Sequence, residues 1–192
     1  MDTLPSVMPI KSTPGRPKLI CSPLGGRPPY DGGLGGQRFW LMKSEPGECS
    51  IDDLAAAPNQ TVPWVGVRNY QARNFMRDEM QAGHGVLFYH SSCAEPGVAG
   101  LAEVVGPAYP DATQFDAASP YFDAKSKPAE PRWLHVDVKL LAKTRLLSLR
   151  EMRQQPGLAS MTLLKPGNRL SITPVTAAEW AAVVSLLKSP AA

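Results

Sequence analysis

Residues 63–74 have the sequence PWVGVRNYQARN, which places an indole, a glycine, two arginines and two asparagines at the start of one amphipathic stretch. A tryptophan such as Trp64 can stack on a flat aromatic ligand, and a stacked base contributes roughly 1–3 kcal/mol. Gly66 follows two positions later and permits a close approach of backbone or ligand because it has no Cβ. Trp64 is equally consistent with a core residue, since tryptophan is usually well buried. The segment indicates a site for a planar, hydrogen-bonding ligand, with core packing as the alternative for Trp64.

Cationic and amide side chains follow the indole. Arg68 and Asn69 precede a predicted helix, at the end where free N–H groups and the helix dipole favour anions. We therefore expect both of them to contact the ligand. Arg73 and Arg77 are four residues apart and share a face, but Arg77 is followed directly by two acidic residues. At Arg77 the acidic neighbours are more typical of a solvated face than of a binding site.

Polar residues also follow the predicted strands. Lys43, Ser44 and Glu45 come directly after an apolar run and supply an ammonium, a hydroxyl and a carboxylate. A carboxylate such as Glu45 can accept a hydrogen bond from an exocyclic amine, for example N4 of cytosine. Residues 89–92, with the sequence YHSS, end a second apolar run in the same way. Taken alone, each set is also consistent with an ordinary polar turn.

Enzymatic chemistry finds little support in the sequence. His90 has no nucleophile or acid at a fixed spacing, which is more typical of a structural histidine than of a catalyst. The sequence contains no nucleophile elbow, Walker loop, dinucleotide-binding glycine motif or zinc-deaminase signature. A small nucleic-acid-directed enzyme that uses His90 and Glu45 as acid and base is kept as an alternative.

The elements that must position these residues are short. Apolar runs predict buried strands at 39–42, 86–90 and 98–105, the last two joined as a hairpin. An alternating pattern predicts another strand at 134–141, and a further short strand is expected at 170–172. Residues 107–132 are rich in proline, aspartate and alanine and predict a long surface loop.

Helix starts are marked by capping sequences. Residues 50–53 have capping-box spacing, with Asp in place of Glu, for a short helix that Pro58 ends. Asn69 is expected to cap the next helix, which the glycines at 83 and 85 would end. Residues 176–179 form a full capping box before an apolar face at helical spacing. Together the elements predict an α+β fold, a small, partly open β-barrel of about five to six strands with peripheral helices.

Charge limits how this protein could bind nucleic acid. The chain carries a formal charge of +3, of which residues 1–37 hold a surplus of two, so the remaining residues carry only about +1. A protein that neutralises many phosphates is usually more basic than this. Any nucleic-acid role must therefore rest on a local patch and a pocket.

Composition separates a tail from one domain at 38–188. Residues 1–37 contain seven prolines and seven glycines and cannot bury enough apolar surface to offset their ordering entropy. We expect a disordered tail there, or a start codon assigned too far upstream. The three cysteines and three histidines show neither a disulfide framework nor metal-ligand spacing. We therefore expect a reduced, cytoplasmic protein without a metal or cofactor, and the absence of an apolar run of about 18 residues argues against a membrane span.

Four motifs in unbroken order make the segment at 38–188 resemble the EVE domain family. They are FWLMKSEP at 39–46, WVGVRNYQARN at 64–74, FYHS at 88–91 and GNRLS at 167–171. Shorter matches are EPG at 95–97, AYPD at 108–111 and PRW at 131–133. The resemblance implies a PUA-like fold, related to the YTH readers of methylated adenine in RNA. It also implies a binding module for modified bases, with 5-methylcytosine and its hydroxymethyl derivative in DNA as the leading ligands.

Carried over by position, the resemblance implies a pocket in which Trp64 is the stacking wall. The polar residues around it would be Lys43, Ser44, Glu45, Arg68, Asn69, Tyr70, Tyr89, His90, Ser91 and Arg169. Arginines such as Arg68, Arg73 and Arg169 would hold backbone phosphates. Two positions depart from the family pattern, because many relatives carry Asp at the position of Val65 and Asn at that of Ser92. If either polar group reads the base edge, this protein has a different preference or a lower affinity.

The sequence and the resemblance thus predict a non-catalytic reader whose partner is nucleic acid with a modified base. The base would bind in an aromatic-walled pocket. A PUA-type RNA-binding accessory module is the alternative on the same fold. In such families a nuclease or a modification system is a common companion, and no membrane partner is expected. The sequence leaves the oligomeric state open.

Overall fold

The computed structural model describes residues 36–188, so the tail expected at residues 1–37 lies outside the described residues except for its last two positions. Within residues 36–188 the chain forms eight strands and four α-helices. The strands are β1 (Phe39–Ser44), β2 (Thr61–Pro63), β3 (Gly85–His90), β4 (Gly97–Val104), β5 (Tyr109–Pro110), β6 (Leu134–His135), β7 (Asp137–Ser148) and β8 (Ile172–Val175). The helices are α1 (Ile51–Ala56), α2 (Tyr70–Asn74), α3 (Leu149–Arg153) and α4 (Ala177–Lys188). A π-helical turn at Phe75–Glu79 extends α2, and 3-10 turns lie at Pro58–Gln60, Ala112–Phe115, Pro156–Leu158 and Thr162–Leu164.

Six of these strands form one sheet in the order β2-β7-β4-β3-β1-β8, and β5 pairs with β6 in a small second sheet. Neighbouring strands are antiparallel except β1 and β3, which are parallel. The predicted α+β class with about six strands is confirmed. In the part of the chain that the structure describes, the edge strands β2 and β8 do not pair with each other, as a partly open barrel requires.

The central strands are covered on both faces, which explains why β1 and β3 are continuous apolar runs. On one face Trp40 and Phe88 belong to a core that also contains residues of α1 and α2. On the other face Phe39 stacks on Trp180 of α4, with ring centroids 4.6 Å apart. The predicted capping box before α4 is present, since Glu179 N–H donates to Thr176 Oγ1 at 3.2 Å.

The helix that Asn69 caps ends earlier than the glycines at 83 and 85 predict. Its π-helical turn stops before Met80, which is already extended. The next N–H, that of Gln81, donates to Nδ1 of His84 at 3.1 Å. A side chain therefore replaces the helical acceptor, and the chain turns into β3.

Residues 107–132 form more than the predicted surface loop. They contain β5 and a 3-10 turn, and Asp111 and Gln114 are buried. The Gln114 amide anchors the loop, because it donates to Trp133 O at 2.9 Å and accepts from Trp133 N–H at 3.0 Å. This anchoring keeps the loop close to the sheet, where it reaches the segment after β2.

Strand lengths differ from the prediction at two other places. The strand predicted at 134–141 is divided into β6 and β7, and β7 extends from Asp137 to Ser148. The strand predicted at 170–172 is β8, which begins at Ile172. In residues 36–188 no helix has the length and apolar content that a bilayer crossing demands, and the 12-residue α4 is as long as any.

Candidate functional site

The parallel pairing of β1 and β3 places the ends of both strands at the same edge of the sheet. Lys43 lies opposite Tyr89 in this register, and Ser44 lies opposite His90. Ser91 N–H then donates to Ser44 O at 2.8 Å, although the two residues are 47 positions apart in sequence. The two polar sets that the sequence places after separate strands therefore meet.

A cavity with a volume of about 450 Å³ opens at this edge, and we call it the polar cavity. Its lining includes three basic side chains, Lys43, Arg68 and Arg169, and two carboxylates, Glu45 and Glu48. The volume is within the range of small-ligand pockets. The cavity can therefore present hydrogen-bond donors and acceptors to one ligand.

A second cavity of about 320 Å³, the apolar cavity, lies beside the polar cavity. Apolar side chains supply most of its lining, in particular Val62, Pro63, Val65 and Pro120. Lys43, Glu48, Trp64, Val65 and Tyr121 line both cavities. The two cavities are therefore two parts of one pocket.

Trp64 is the aromatic wall between the two cavities. It follows β2, and its N–H donates to Val136 O at 2.9 Å, which continues the pairing of the strand. The indole is only 7% exposed and meets the Phe88 ring edge-on, with centroids 5.3 Å apart. Trp64 therefore packs in the core and also lines both cavities, and its role as a stacking wall for a ligand stays a prediction.

Gly66 leaves room for a side chain of the protein itself. A Cβ at Gly66 would lie 2.6 Å from Cζ of Tyr121, and the glycine has a φ of +81°. The Tyr121 ring therefore occupies the clearance that the sequence assigns to backbone or ligand. Tyr121 Oη donates to Glu48 Oε1 at 2.5 Å, and burial together with this bond raises the pKa of Tyr121 to about 12.

Arg68 is a positioning residue in this structure. Nη1 donates to Asp111 Oδ2 at 2.8 Å and to Val67 O at 3.2 Å. Nε donates to Tyr121 O at 2.8 Å. Nη2 donates to the same carbonyl and, at 2.9 Å, to Thr113 Oγ1. All five N–H donors of a guanidinium are thus used within the protein, so Arg68 holds the loop at 107–132 against the pocket.

Asp111 is the buried centre of this network. Its side chain is fully enclosed, and Oδ2 also accepts a hydrogen bond from Gly66 N–H at 3.0 Å. Burial alone would raise the pKa of this carboxyl. The nearby His135 imidazole and hydrogen bonds from Thr113, Arg68 and Gly66 outweigh burial and hold the pKa of Asp111 well below its usual range.

Asn69, Tyr70 and Arg73 do not line either cavity. Asn69 Oδ1 caps α2 by accepting from the N–H groups of the second and third residues after it. Tyr70 stacks on Trp133, with ring centroids 4.8 Å apart. Arg73 donates to Arg132 O at 3.0 Å. Each of these side chains has a structural contact that accounts for it.

His90 has the structural role that its isolation in the sequence predicts. Its Nε2 accepts a hydrogen bond from Ile51 N–H, the first residue of α1, at 3.0 Å. Burial lowers the pKa of His90, which keeps the imidazole neutral and able to accept. The side chain does not line the polar or the apolar cavity.

Lys43 is a half-buried cation of the site. Burial lowers the pKa of its ammonium, and no ion-pair partner for it lies within residues 36–188. A half-buried ammonium without a carboxylate is costly unless a ligand compensates it. Ser44, by contrast, donates to Cys49 O at 2.7 Å and so shapes the turn after β1.

Sequence reasoning missed Tyr121 and the role of Asp111. Tyr121 lies in a stretch without periodicity, so nothing local marks it as a wall of the pocket. Asp111 does belong to the AYPD match, and a carboxylate in an otherwise turn-like segment was the available signal. In residues 36–188 no group of three or more His, Cys, Asp or Glu side chains is placed to hold a metal ion.

The family model for the EVE domain matches residues 38–186. The chain belongs to the EVE domain family. Human thymocyte nuclear protein 1 is 44% identical over 164 residues, an alignment that covers 77% of this chain and 72% of the human protein. Thymocyte nuclear protein 1 from chicken is 43% identical over a stretch of the same length.

Solved EVE domain relatives share the fold. A hypothetical protein from Leishmania major has a TM-score of 0.75 and 48% identity, covering 79% of this chain and 95% of that chain. The human THYN1 protein, in complex with DNA that contains 5-methylcytosine, has a TM-score of 0.75 and 42% identity. That comparison covers 81% of this chain and 100% of the human chain. The PUA-like fold expected for an EVE domain is thereby confirmed.

Proposed function

We propose that this EVE domain is a non-catalytic reader of DNA that accepts an extruded modified cytosine beside Trp64. The ligand is 5-methylcytosine or its 5-hydroxymethyl derivative. The observation that carries the proposal is the position of Trp64 as a shared wall of the polar and apolar cavities. The human relative in complex with DNA containing 5-methylcytosine supports the choice of ligand.

Stacking on Trp64 would offset the cost of extruding the base. Flipping a nucleotide costs a few kcal/mol, and less at a modified or unpaired site. One stacked base contributes roughly 1–3 kcal/mol. Because Trp64 is held by Phe88 and by the backbone of Val136, its ring is already in place before the ligand arrives.

The apolar cavity supplies a surface for a methyl group. Val62, Val65 and Pro120 line it next to the indole. Burying one methyl-sized group contributes about 0.8 kcal/mol, which corresponds to a roughly fourfold preference. A modest preference for 5-methylcytosine over cytosine follows from this contact alone.

The polar cavity supplies partners for the hydrogen-bonding edge of the base. Glu45 and Glu48 are acceptors suited to the exocyclic amine of cytosine. Lys43 and Arg169 are donors suited to its carbonyl oxygen and ring nitrogen. A cytosine presents both kinds of group, so this mixed lining fits it better than it fits an anion alone.

The geometry favours binding over catalysis. His90, the acid–base candidate, accepts a hydrogen bond from Ile51 N–H and lies outside both cavities. Glu45 lines the polar cavity without His90, so the two residues of the proposed acid–base pair do not share one cavity. A cytoplasmic location and a nuclease or modification-system partner also belong to the proposal, and they rest on the cysteine pattern and the family resemblance.

Binding to matched oligonucleotides tests the proposed function. The oligonucleotides carry one cytosine, 5-methylcytosine or 5-hydroxymethylcytosine, as single strands, duplexes and RNA counterparts, and anisotropy gives each Kd. We expect tighter binding to a modified DNA. Equal affinity for modified and unmodified DNA would overturn the proposal, and tighter binding to RNA regardless of modification would favour the accessory RNA-binding module.

A pair of aromatic variants locates the site. Trp64→Leu keeps an apolar side chain in the core and is expected to lower affinity by about 5- to 150-fold, as loss of one stack implies. Tyr70→Leu removes an aromatic ring that lies outside both cavities and should leave the Kd unchanged. Thermal unfolding of both variants confirms that any loss of binding is not loss of the fold.

A further inference from the structure

A third cavity adjoins the polar cavity and has a different electrostatic character. It has a volume of about 440 Å³ and shares Lys43, Ser91 and Ser92 with the polar cavity. The charged residues in its lining, Lys43, Arg153 and Lys165, are all basic, so we call it the basic cavity. The polar cavity, in contrast, includes two carboxylates.

The cations along this path are not neutralised by the protein. Within residues 36–188, Lys43, Arg153, Lys165 and Arg169 have no ion-pair partner. Some basic residues elsewhere in the domain are paired, for example Arg38 with Glu79, Arg77 with Asp78 and Lys143 with Asp52. A domain whose net charge is only about +1 therefore concentrates uncompensated positive charge beside the pocket.

Three separate elements bring these cations together. Lys43 lies at the end of β1, Arg153 is the last residue of α3, and Lys165 follows the 3-10 turn Thr162–Leu164. The cavity between them also has peptide and hydroxyl groups, from Ser91, Ser92 and the turn at 165–168. Lysine and arginine side chains with nearby hydroxyls and backbone groups are the usual partners of phosphate oxygens.

We propose that the basic cavity binds the phosphodiester backbone on one flank of the extruded nucleotide. In this arrangement the DNA strand leaves the pocket over Lys43 and passes between Arg153 and Lys165. This inference rests on the proposed function. It assigns phosphate binding to Arg153 and Lys165 instead of to Arg68, whose five donors are all used within the protein, and Arg73, which donates to Asn74 Oδ1 and Arg132 O and lines none of the three cavities. On the other flank the apolar cavity has no cation in its lining except the shared Lys43, so the backbone contact is one-sided.

The dependence of affinity on salt tests this path. Each neutralised phosphate contributes about 0.9 to the slope of log K against log salt on duplex DNA, and about 0.7 on a single strand. Arg153→Gln with Lys165→Gln should therefore lower the slope by nearly two. The affinity deficit of this double variant should be roughly tenfold larger at 50 mM than at 200 mM salt. The ratio of Kd values for unmodified and modified DNA should not change.

A matched control keeps the test specific. Lys125→Gln with Lys127→Gln removes the same charge from exposed positions that line none of the three cavities. It should leave the salt slope unchanged. An equal fall in slope for both double variants, or no fall for Arg153→Gln with Lys165→Gln, would overturn the path.

Neutral linkages test the one-sided contact. A methylphosphonate placed next to the modified base on one flank should weaken binding, and on the other flank it should have little effect. Equal effects on both flanks would overturn the inference. The two proposals fail on different measurements. Base preference tests the proposed function, and the change in salt slope tests the backbone path, so a protein can show either one without the other.

Discussion

Arg68 and Asp111 form an ion pair of 2.8 Å in which the carboxylate is fully buried, and this pair lies behind the pocket as its support. Asp111 fixes Gly66 N–H, and Arg68 fixes the carbonyl of Tyr121. Two adjoining parts of the wall of the polar cavity, Gly66 and Tyr121, are therefore held by one charge pair. The sequence predicts that Arg68 contacts the ligand, whereas in the structure its contacts determine the shape of the site.

Removing the buried carboxylate is expected to destabilise the domain. Asp111→Asn leaves the Arg68 guanidinium without its counter-charge, and breaking a buried pair costs about 3–5 kcal/mol. Urea denaturation measures the free energy of unfolding. Asp78→Asn breaks the exposed pair with Arg77 and should cost less than about 1 kcal/mol. Similar losses in both variants would contradict a structural role for the buried pair.

Gly66→Ala is expected to disturb the pocket more than backbone strain alone explains. The new Cβ would collide with the Tyr121 ring, whereas Gly83 has a similar φ of +87° and no atom within 4 Å of a Cβ. Gly83→Ala therefore reports the strain, of about 1–3 kcal/mol, without the collision. We expect both variants to lose stability in a thermal melt but only Gly66→Ala to bind the modified oligonucleotide more weakly. Unchanged binding by Gly66→Ala would show that the Tyr121 ring is not a fixed wall.

Stability should fall as the pH drops below about 6.5. Nδ1 of His84 accepts hydrogen bonds from Trp40 Nε1 and from Gln81 N–H, so it must be unprotonated. Burial lowers the pKa of His84 below its ordinary value of 6.5. As the pH falls, the unfolded chain therefore takes up the proton at His84 before the folded protein does. The contribution of neutral His84 to the free energy of unfolding is complete well above pH 6.5 and is lost as the pH falls below it.

Melting temperatures between pH 8 and pH 5 measure this effect. A His84→Gln variant should be less stable at pH 8 but should have a flatter pH profile. His90 also has a lowered pKa because it is buried, so some dependence on pH will remain in that variant. A profile as steep as that of the unchanged protein would mean that His84 is not the group responsible.

Val65→Asp is expected to change base preference without unfolding the protein. Val65 is 39% exposed and lines both the polar and the apolar cavity. An Asp there adds an acceptor near Glu48 and removes apolar contact, so the ratio of Kd values for 5-methylcytosine and cytosine should shift. The melting temperature should change little, because surface substitutions usually alter stability by less than about 0.5 kcal/mol.

Ser92→Asn is the matched test of the other departure from the family. Ser92 has a φ of +52°, and asparagine tolerates this left-handed conformation better than serine. The substitution should recover part of the roughly 1–2 kcal/mol that this conformation costs, and it should leave base preference unchanged. A changed preference with no gain in stability would assign the position to recognition instead of to the turn.

Local patterns predicted the parts of the fold that are locally determined. The capping boxes at Ser50 and Thr176 are present, because each depends on residues three positions apart. The polar ends of β1 and β3 were recognisable for the same reason. Their meeting at one edge depends on parallel pairing, which periodicity does not reveal.

The supports of the pocket could not be predicted in this way. Arg68 and Tyr121 are 53 positions apart, and their contact depends on how the loop at 107–132 folds back. The sequence does not distinguish an arginine that is free to bind a ligand from one that, like Arg68, makes five hydrogen bonds within the protein. Asn69 shows the same limit, because its position before α2 predicts both an anion site and a helix cap, and the structure shows the cap.

The double role of Trp64 has a consequence for how this pocket can evolve. Its indole packs on Phe88 in the core, so a change at Trp64 that alters recognition also weakens the fold. Val65 and Glu45 are exposed, and they can vary without that penalty. Selection can therefore retune which base is preferred through the rim while the stacking wall stays fixed, and related domains can diverge in ligand while they keep one architecture.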